Sequence, residues 1–489
     1  MHLPGVVVVG LDAVDRGVAQ ELMDRGRMPH LARLVDGGLV ADLENPVGLT
    51  SSSVWPTIVT GVGPDRHQAW SWRQLRPGTY RMRSGLRRPL QAPTFWERLA
   101  RQGVRSLVVD VPVLEISPGF GGTQIVGWSD HDRTDDLEST PPEVADELRS
   151  RVDHQPRDPC EAMTVDLPAL RRLLVGSVAQ KVDLVEYLLE RDPHDLAVIV
   201  WGEGHCAGHH FWHLHQPSGP PGTDAGLGDV VAEVYEAIDV ELGRLLDLVG
   251  AEAVVMVVLS HGIGNELTPV HLIEPVLKAI DARLGPPPRV ARVREFLRRA
   301  PNRAARVGLR LVRRDFEHLD HVADGSRRFF SVPIVPPHSA IRLNLAGREP
   351  RGLVAPEEAD ELCDRLEAEL AALVDVESGV RLMKRFWRTE RLWPGGTDIG
   401  LPDVLVEWDS PSPVTAVASP TLGEFTGAYR GHRTGGHRRD GRVVISGPGV
   451  DAGTRPAIPS VDIAPTIASL CGASLDNVDG EPVIGAARV

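Results

Sequence analysis

The sequence predicts an α/β protein with a mostly parallel central sheet sandwiched by helices. Three apolar runs carry this prediction: residues 5–12, 196–200 and 251–262. Each is short and rich in Val, Ile or Leu, which is the pattern of parallel strands buried on both faces. Residues 14–36 follow the first run with the pattern of a helix, interrupted at Met28-Pro29. Alternating buried strands and helices are typical of an α/β fold.

Length and charge narrow the class of protein. The chain has 489 residues, enough for one large α/β domain with an insertion or for two to three domains. Its hydrophobic content of 42% and charged content of 25% are those of a globular protein. Acidic residues outnumber basic ones, 67 to 53, and the formal net charge is −14. This balance argues against a general nucleic-acid binder, which needs a basic surface to neutralise phosphates.

The four cysteines indicate a reducing compartment, because they lie far apart and form no Cys-x-x-Cys pair. They are Cys160, Cys206, Cys363 and Cys471. We interpret Cys206, which lies among histidines, as a small buried thiol rather than a metal ligand. The first residues lack the pattern of a signal peptide, and no apolar run approaches the ~20 residues of a membrane span. We therefore expect a cytoplasmic protein without a membrane span; the oligomeric state stays open.

Residues 201–212, which follow the second apolar run, are unusually rich in metal-binding side chains. They include one carboxylate and three imidazoles, on Glu203, His205, His209 and His210. His205 and His209 are four residues apart, so a helical turn would place both on one face, where they could bind one metal ion. The alternative interpretation is a histidine-rich surface loop.

Polar side chains also follow the other two predicted strands. Asp12 ends the first strand, and Ser260-His261 ends the third. In open α/β sheets, ligands bind at the carboxyl ends of the strands. Asp12 therefore lies where a metal-binding carboxylate would be, although it could instead cap the following helix.

A run of four hydroxyl side chains, Thr50 to Ser53, precedes a predicted short helix over residues 54–60 that Gly61 closes. Hydroxyl groups in this position are first of all helix caps. The same position also stabilises an anion, or a nucleophile that attacks one, through free N–H groups and the helix dipole.

Taken in order, these features resemble the alkaline phosphatase superfamily, and most closely its type I phosphodiesterase/nucleotide pyrophosphatase branch. The resemblance rests on Asp12 after a strand, a hydroxyl residue nine positions before Thr60-Gly61, and the segment 63–67, Gly-Pro-Asp-Arg-His. It continues through Ser260-His261-Gly262 and residues 435–449. It implies an alkaline-phosphatase-like core over residues 1–262 and 421–489, with an inserted cap or substrate-selecting region over 263–420.

The resemblance also implies a nucleophile and two metal sites. Ser51 matches the nucleophile, although the register could slip by one to Thr50 or Ser52. The matching metal ligands fall into two sets, with Asp12, Ser51 and His261 in one and His209 and His437 in the other.

Two carboxylates of the family's ligand set are replaced. His205 and Ser260 stand at those positions. Either Glu203 could replace the first carboxylate or His205 could bind directly, and Asn265 and Glu266 are candidates for the second. A site richer in imidazole favours Zn²⁺ over Mg²⁺ or Ca²⁺. Whether the site binds one or two ions, whether the reaction is altered and whether the protein has lost enzymatic activity all stay open at this point.

The sequence thus predicts a metal-dependent hydrolase of phosphate esters, acting through Ser51 on a diester or a small phosphorylated metabolite. The alternatives are a transferase or lyase of the same superfamily, and a non-catalytic protein that binds a metal or an anion. A sulfatase fits less well because Pro and Arg are missing after Ser51, and a Ser/His/Asp hydrolase because no Gly-x-Ser-x-Gly occurs there.

Two further segments have open interpretations. Residues 289–314 are rich in Arg and helical in pattern, which indicates a solvated helix face or an anion-binding surface. His432 is interpreted as a loop histidine or as a spare metal ligand.

Overall fold

The computed structural model describes eight stretches of the chain. They are residues 3–49, 51–84, 89–129, 137–151, 165–216, 225–285, 326–429 and 433–484. The predictions for Thr50, Cys160, residues 289–314 and His432 lie outside the described residues.

The chain forms two compact units. One comprises residues 1–69, 87–266 and 431–489, and the other comprises residues 70–86 and 267–430. The second unit therefore includes a segment, 70–86, that the sequence analysis assigned to the core. The predicted domain boundaries stay a prediction.

Twenty-one strands occur in the described residues. In chain order they are β1 Val6–Leu11, β2 Leu39–Glu44, β3 Arg73–Leu75, β4 Met82–Ser84, β5 Ser106–Val109, β6 Gly122–Val126, β7 Glu138–Thr140, β8 Leu196–Trp201, β9 Val254–Leu259, β10 Gly262–Asn265, β11 Phe329–Val332, β12 His338–Leu343, β13 Val374–Asp375, β14 Met383–Arg388, β15 Val404–Trp408, β16 Ala416–Ser419, β17 Gly423–Thr426, β18 Gly435–Arg438, β19 Gly441–Ser446, β20 Gly453–Thr454 and β21 Ile458–Pro459.

Thirteen α-helices occur in the same residues. They are α1 Arg16–Asp24, α2 Pro29–Gly37, α3 Val54–Thr60, α4 Pro64–His67, α5 Phe95–Ala100, α6 Pro142–Arg151, α7 Leu167–Arg191, α8 Glu203–His215, α9 Val230–Val249, α10 Val270–Arg283, α11 Ala359–Ala371, α12 Thr389–Leu392 and α13 Ile463–Leu470. Among the described residues, no helix has the length and apolarity needed to cross a membrane.

A ten-stranded sheet forms the centre of the first unit, in the order β20-β2-β19-β9-β1-β8-β5-β6-β7, with β21 beside β2. The five strands β9, β1, β8, β5 and β6 run parallel, whereas β19 and β7 pair antiparallel with their neighbours. The predicted α/β class with a mostly parallel sheet between helices is confirmed.

The central strands are buried on both faces because their side chains alternate between two apolar cores. Val7 and Val9 of β1 pack into the core that contains α1, α2, α7, α8 and α9. Val6 and Val8 pack into the other core, with α3, α5 and α13. This double burial explains why β1 is a continuous apolar run rather than an alternating one.

The register brings the ends of three strands side by side. Leu11 pairs with Trp201 of β8 on one side and with Leu259 of β9 on the other. The residues that follow these strands therefore meet at one edge of the sheet. Beyond this edge, β10 and β18 form a separate two-stranded antiparallel ribbon in which Ile263 is opposite His437.

The second unit has its own sheets and its own core. Its four-stranded sheet has the order β11-β12-β15-β14, and smaller sheets are formed by β13-β16-β17 and by β3-β4. Residues of α10 and α11 pack with this sheet around Phe329, Ile341 and Val406. The side chain of Tyr80 donates a hydrogen bond of 2.8 Å to Asn344, which links residues 70–86 to the rest of the unit.

Candidate active site

The carboxylate of Asp12 lies at the centre of a buried group of polar side chains. Its Oδ1 accepts hydrogen bonds from the indole of Trp55 at 2.7 Å and from the hydroxyl of Ser260 at 3.0 Å. Its Oδ2 lies 2.7 Å from Nδ1 of His205. Asp12 does not cap helix α1, because Asp15 takes that role and accepts from two backbone N–H groups.

The histidine-rich stretch is helical, since α8 begins at Glu203 and its first ten residues are buried. Its glycines allow close packing at two positions. A Cβ atom at Gly204 would lie 2.6 Å from Val14, and one at Gly208 would lie 2.6 Å from Ile263. The alternative of a histidine-rich surface loop is therefore wrong, because this segment is packed on several sides.

The rings of His205 and His209 pack edge to face on α8 with centroids 4.6 Å apart. Nδ1 of His209 lies 2.7 Å from the carbonyl oxygen of Gly435, so it carries the proton and donates to that oxygen. Nε2 of His209 is then a lone-pair acceptor, and it is buried without a hydrogen-bond partner among the described residues. A buried acceptor that no hydrogen bond satisfies calls for an explanation, and a bound metal ion is one.

His261 and His437 complete the group. Nδ1 of His261 lies 3.0 Å from the hydroxyl of Ser260. Its Nε2 lies 2.9 Å from Nδ1 of His437, and His437 in turn packs against the ring of His209 at 4.7 Å. We refer to the five residues Asp12, His205, His209, His261 and His437 as the imidazole cluster.

Two overlapping triads in the imidazole cluster have the arrangement of metal ligands. One is His205, His209 and His437, and the other is Asp12, His205 and His261. Within each triad the possible ligand atoms lie within 4.8 Å of one another, and all of these residues are buried.

Burial favours the neutral form of the His209 and His437 imidazoles, which is the form that binds a metal. The pKa of His209 lies well below its usual value, chiefly because burial penalises the charged ring, with further contributions from Arg433, His205 and His437. Burial likewise lowers the pKa of His437, and the neighbouring rings of His205 and His261 lower it further.

Ser51 lies three residues before Val54, the first residue of helix α3, in an uncommon backbone conformation. Its φ angle is +61°, in the left-handed region that non-glycine residues seldom adopt. Its carbonyl accepts from the backbone N–H of Val54, and the next turn of α3 carries Trp55, which donates to Asp12. Ser53, the residue that precedes α3, makes no side-chain capping bond, so a capping role does not account for the hydroxyl of Ser53. Strained residues of this kind are concentrated at functional sites.

Glu203 is not part of the imidazole cluster. Its Oε1 accepts from Ser129 at 3.1 Å and from Ser177 at 3.0 Å. Its Oε2 lies 3.8 Å from the ammonium of Lys181, which is also 3.1 Å from Asp110. We refer to Asp110, Lys181 and Glu203 as the lysine cluster. The assignment of Glu203 as a metal ligand is therefore corrected, because its carboxylate points to a cation of the protein itself.

The other candidate ligands also lie outside both triads. Asn265 donates from its side chain to Gln216 at 3.2 Å, and the carboxylate of Glu266 packs against Gly436. His210 is buried on α8. Cys206 packs within the apolar core, as its interpretation as a buried thiol requires.

Three residues around the site were missed by the sequence analysis: Trp55, Asp110 and Lys181. Lys181 had one signal, since it is one of only three lysines in the chain, but nothing local indicates its partners. The contact of Trp55 with Asp12 joins residues 43 positions apart, and no spacing rule covers it.

Comparison with known proteins identifies the family of the chain. The model of the type I phosphodiesterase/nucleotide pyrophosphatase family matches residues 6–406. The chain belongs to this family. It is accordingly a phosphoric ester hydrolase by family, and members of the family typically depend on divalent metal ions. No curated protein sequence matches the chain closely enough to add a named relative.

Solved structures share the fold at low identity. Phosphonoacetate hydrolase from Sinorhizobium meliloti 1021, in complex with phosphonoformate, has a TM-score of 0.54 and 13% identity, and the match covers 94% of this chain and 95% of that one. Human ectonucleotide pyrophosphatase/phosphodiesterase 5 has a TM-score of 0.52 and 12% identity over 98% and 97% of the two chains. An inactive form of murine ectonucleotide pyrophosphatase/phosphodiesterase 5, in complex with AMP, has a TM-score of 0.51 and 13% identity over 98% of this chain and 97% of that one. At these identities the likeness shows the fold alone.

Proposed function

We propose that the protein is a metal-dependent phosphodiesterase in which Ser51 is the nucleophile. The observation that carries this proposal is the buried Nε2 of His209, which has no hydrogen-bond partner among the described residues while its Nδ1 donates to a carbonyl. The ring is thereby oriented with its lone pair toward the other imidazoles. This arrangement is common for metal-bound histidines, whose second nitrogen donates to a carbonyl or a carboxylate.

The donor set fits a nitrogen-preferring divalent cation, which we propose to be Zn²⁺, bound as one or two ions. The cluster combines four imidazoles with a single carboxylate, that of Asp12, and such sites favour Zn²⁺ over Mg²⁺ or Ca²⁺. A bound cation would neutralise charge on the phosphate oxygens and lower the pKa of a hydroxyl group that binds it.

The role of Ser51 is to form a covalent intermediate with the substrate. Its Oγ forms a bond to phosphorus while the bond from phosphorus to the leaving oxygen breaks, and water then cleaves the new ester. Ser51 has a left-handed conformation, and its carbonyl accepts from the backbone N–H of Val54 at the start of α3. The hydrogen bond from Trp55 to Asp12 ties the same helix to the imidazole cluster. Together these features hold the nucleophile in place before the substrate arrives.

The substrate proposed is a small phosphorylated molecule, with a phosphodiester as the first candidate. The free thiols Cys206, Cys363 and Cys471 suit the reducing cytoplasm that the sequence analysis predicted, and that location stays a prediction.

The experiment that tests this function is turnover of bis(p-nitrophenyl) phosphate by wild type and by Ser51→Ala, before and after removal of metal with a chelator. We expect Ser51→Ala to lose at least about 1,000-fold in turnover, since loss of a nucleophile removes the covalent route. Ser52→Ala is the matched control, because Ser52 is the adjacent hydroxyl; its turnover should stay within about 10-fold of wild type, which is about 1.4 kcal/mol.

The other outcomes separate the alternatives. Metal binding without turnover of any phosphate ester would favour a superfamily member with altered chemistry, a transferase or a lyase. Neither metal nor turnover would favour a non-catalytic binding protein. An equal loss of turnover in Ser51→Ala and Ser52→Ala would mean that the assignment of Ser51 as the nucleophile is wrong.

A further inference from the structure

We propose that this chain binds one metal ion, through His205, His209 and His437 alone, and that Asp12 and His261 position these ligands instead of binding a second ion. The inference rests on the proposed metal dependence and states how many ions bind and which residues bind them. It follows from the hydrogen-bond directions around the three rings, which fix the nitrogen that each ring presents.

The tautomer of His205 follows from its contact with Asp12. An ionised carboxylate only accepts hydrogen bonds, and Nδ1 of His205 lies 2.7 Å from Oδ2 of Asp12. Nδ1 therefore carries the proton, and Nε2 presents its lone pair. The carbonyl of Gly435 fixes His209 in the same tautomer.

The tautomer of His437 follows through a chain of three contacts. The hydroxyl of Ser260 donates its one proton to Oδ1 of Asp12, 3.0 Å away. Ser260 can then only accept from Nδ1–H of His261, at 3.0 Å. A neutral His261 protonated on Nδ1 has its lone pair on Nε2, and this atom accepts from Nδ1–H of His437 at 2.9 Å. Nε2 of His437 is thus left with a lone pair.

All three rings consequently share one pattern. Each donates from Nδ1 to a defined acceptor, which is Asp12 for His205, Gly435 for His209 and His261 for His437, and each keeps a lone pair on Nε2. Such partners orient metal-bound histidines and increase their basicity. Three protein ligands also leave a position open for water or substrate, as in catalytic zinc sites.

The same contacts occupy the groups that a second ion would need. Both nitrogens of His261 are used, one by Ser260 and one by His437. The oxygens of Asp12 already accept from Trp55, Ser260 and His205. A serine at position 260 suits this network, because a hydroxyl both accepts from His261 and donates to Asp12, whereas an ionised carboxylate could only accept.

The experiment is a measurement of zinc stoichiometry and affinity on the full chain, by equilibrium dialysis with elemental analysis and by competition with a chromogenic chelator. Wild type should bind one tight ion per chain. His209→Gln should weaken binding by more than about 100-fold, the upper end of the effect expected for a group that only orients a ligand. Asp12→Asn and His261→Gln should each weaken it by about 10–100-fold and keep the stoichiometry at one.

His210→Gln is the matched control, because His210 is a buried neighbour on α8 outside both triads; its affinity should equal that of wild type. Circular dichroism of each metal-free variant separates loss of metal from loss of fold, and the wild-type stoichiometry needs no variant at all.

The outcomes distinguish this inference from the proposed function. Two tight ions with turnover that depends on Ser51 would overturn the inference and leave the function standing. One ion without turnover would support the inference and overturn the function. No bound zinc would overturn the inference, and no bound zinc together with no turnover would overturn both. A loss in folded Asp12→Asn as large as in His209→Gln would make Asp12 a ligand and overturn the inference.

Discussion

Helix α8 contributes to two buried polar clusters, of which one contains a cation of the protein itself and the other consists mainly of imidazole rings. In the lysine cluster, the ammonium of Lys181 faces the carboxylates of Asp110 and Glu203 and donates to the carbonyl of Val200 at 2.6 Å. In the imidazole cluster, the one carboxylate, that of Asp12, lies among four imidazole rings, and Nε2 of His209 has no hydrogen-bond partner among the described residues.

The difference shows how two residues of one motif can have separate roles. Glu203 and His205 are two positions apart, which is about 200° around a helix, so they point in nearly opposite directions. The face with Glu203 meets a cation of the protein itself, the ammonium of Lys181, which lies between the carboxylates of Asp110 and Glu203. The face with His205 and His209 meets other imidazoles, and the Nε2 atom of His209, which has no hydrogen-bond partner among the described residues, suits an added cation. We therefore expect changes in the lysine cluster to affect stability, and changes in the imidazole cluster to affect metal binding and turnover.

The largest expected effect is on turnover, from His209→Gln. The variant should lose at least about 1,000-fold, equivalent to about 4 kcal/mol of transition-state stabilisation, because it removes the ring nitrogen that we propose as a metal ligand. Its amide can still donate to Gly435, so the urea midpoint of the metal-free protein should change little. Steady-state kinetics and urea unfolding test these two expectations. Full turnover in the variant would show that His209 is not needed for catalysis.

The second effect is on stability, from Lys181→Met. Removing the cation leaves two buried carboxylates without their counter-charge, which costs about 3–5 kcal/mol in comparable sites. Urea unfolding of the metal-free chain should show this loss, while the folded fraction should still bind zinc. Unchanged stability together with lost zinc would mean that the two clusters are not separate in function.

The third effect comes from Gly208→Ala, which tests the packing of α8. The new methyl group would lie 2.6 Å from the buried side chain of Ile263, and overpacking of this kind costs about 1–3 kcal/mol. The variant should also bind zinc more weakly, since Ile263 is opposite His437 in the ribbon.

Gly176→Ala on α7 is the control for this variant, because a Cβ atom there has no neighbour within 4 Å. Its methyl group should raise the free energy of unfolding by up to about 1 kcal/mol through helix propensity. If both glycine variants behave alike in urea and in zinc titration, close packing of α8 does not support the site.

The smallest effect is the response of the metal-free protein to pH. Because burial holds the pKa of His209 and His437 below the unfolded value of about 6.5, the unfolded chain binds more protons than the folded one as the pH falls through that value. The free energy of unfolding should therefore fall below pH ~6.5, by up to about 1.4 kcal/mol per pH unit for each such histidine.

Comparison of wild type with His209→Gln isolates one histidine. Between pH 7.5 and pH 5.5 the variant should lose about 1 kcal/mol less than wild type. The buried His67, whose pKa burial lowers to about 3, contributes equally in both proteins. Identical pH profiles would mean that His209 is not held neutral by burial.

Some of this architecture was predictable from local sequence. The strand at residues 6–11 and the helix at 54–60 were predicted because each needs only neighbouring residues: a β-branched run for the strand, and Gly61 in the left-handed conformation, with φ +67°, for the end of the helix. The pairing of His205 with His209 followed from helical spacing, and the meeting of Asp12 with Ser260-His261 from the shared edge of a parallel sheet.

Other features were not predictable, because they depend on contacts between distant residues. Lys181 lies in the middle of a long helix, and its partner Asp110 is 71 positions away. Residues 70–86 join the second unit through contacts such as Tyr80 with Asn344, which are 264 positions apart. The error over Glu203 was of another kind, since helical geometry alone separates it from His205.

The central claim is that Ser51 becomes covalently attached to the substrate beside the imidazole cluster. The most direct test is peptide mapping by mass spectrometry of zinc-loaded enzyme that is acid-quenched during turnover of bis(p-nitrophenyl) phosphate. We predict a nitrophenyl-phosphoryl adduct on Ser51. An adduct on Thr50 or Ser52 instead, or sustained turnover while the Ser51 peptide stays unmodified, would contradict the account.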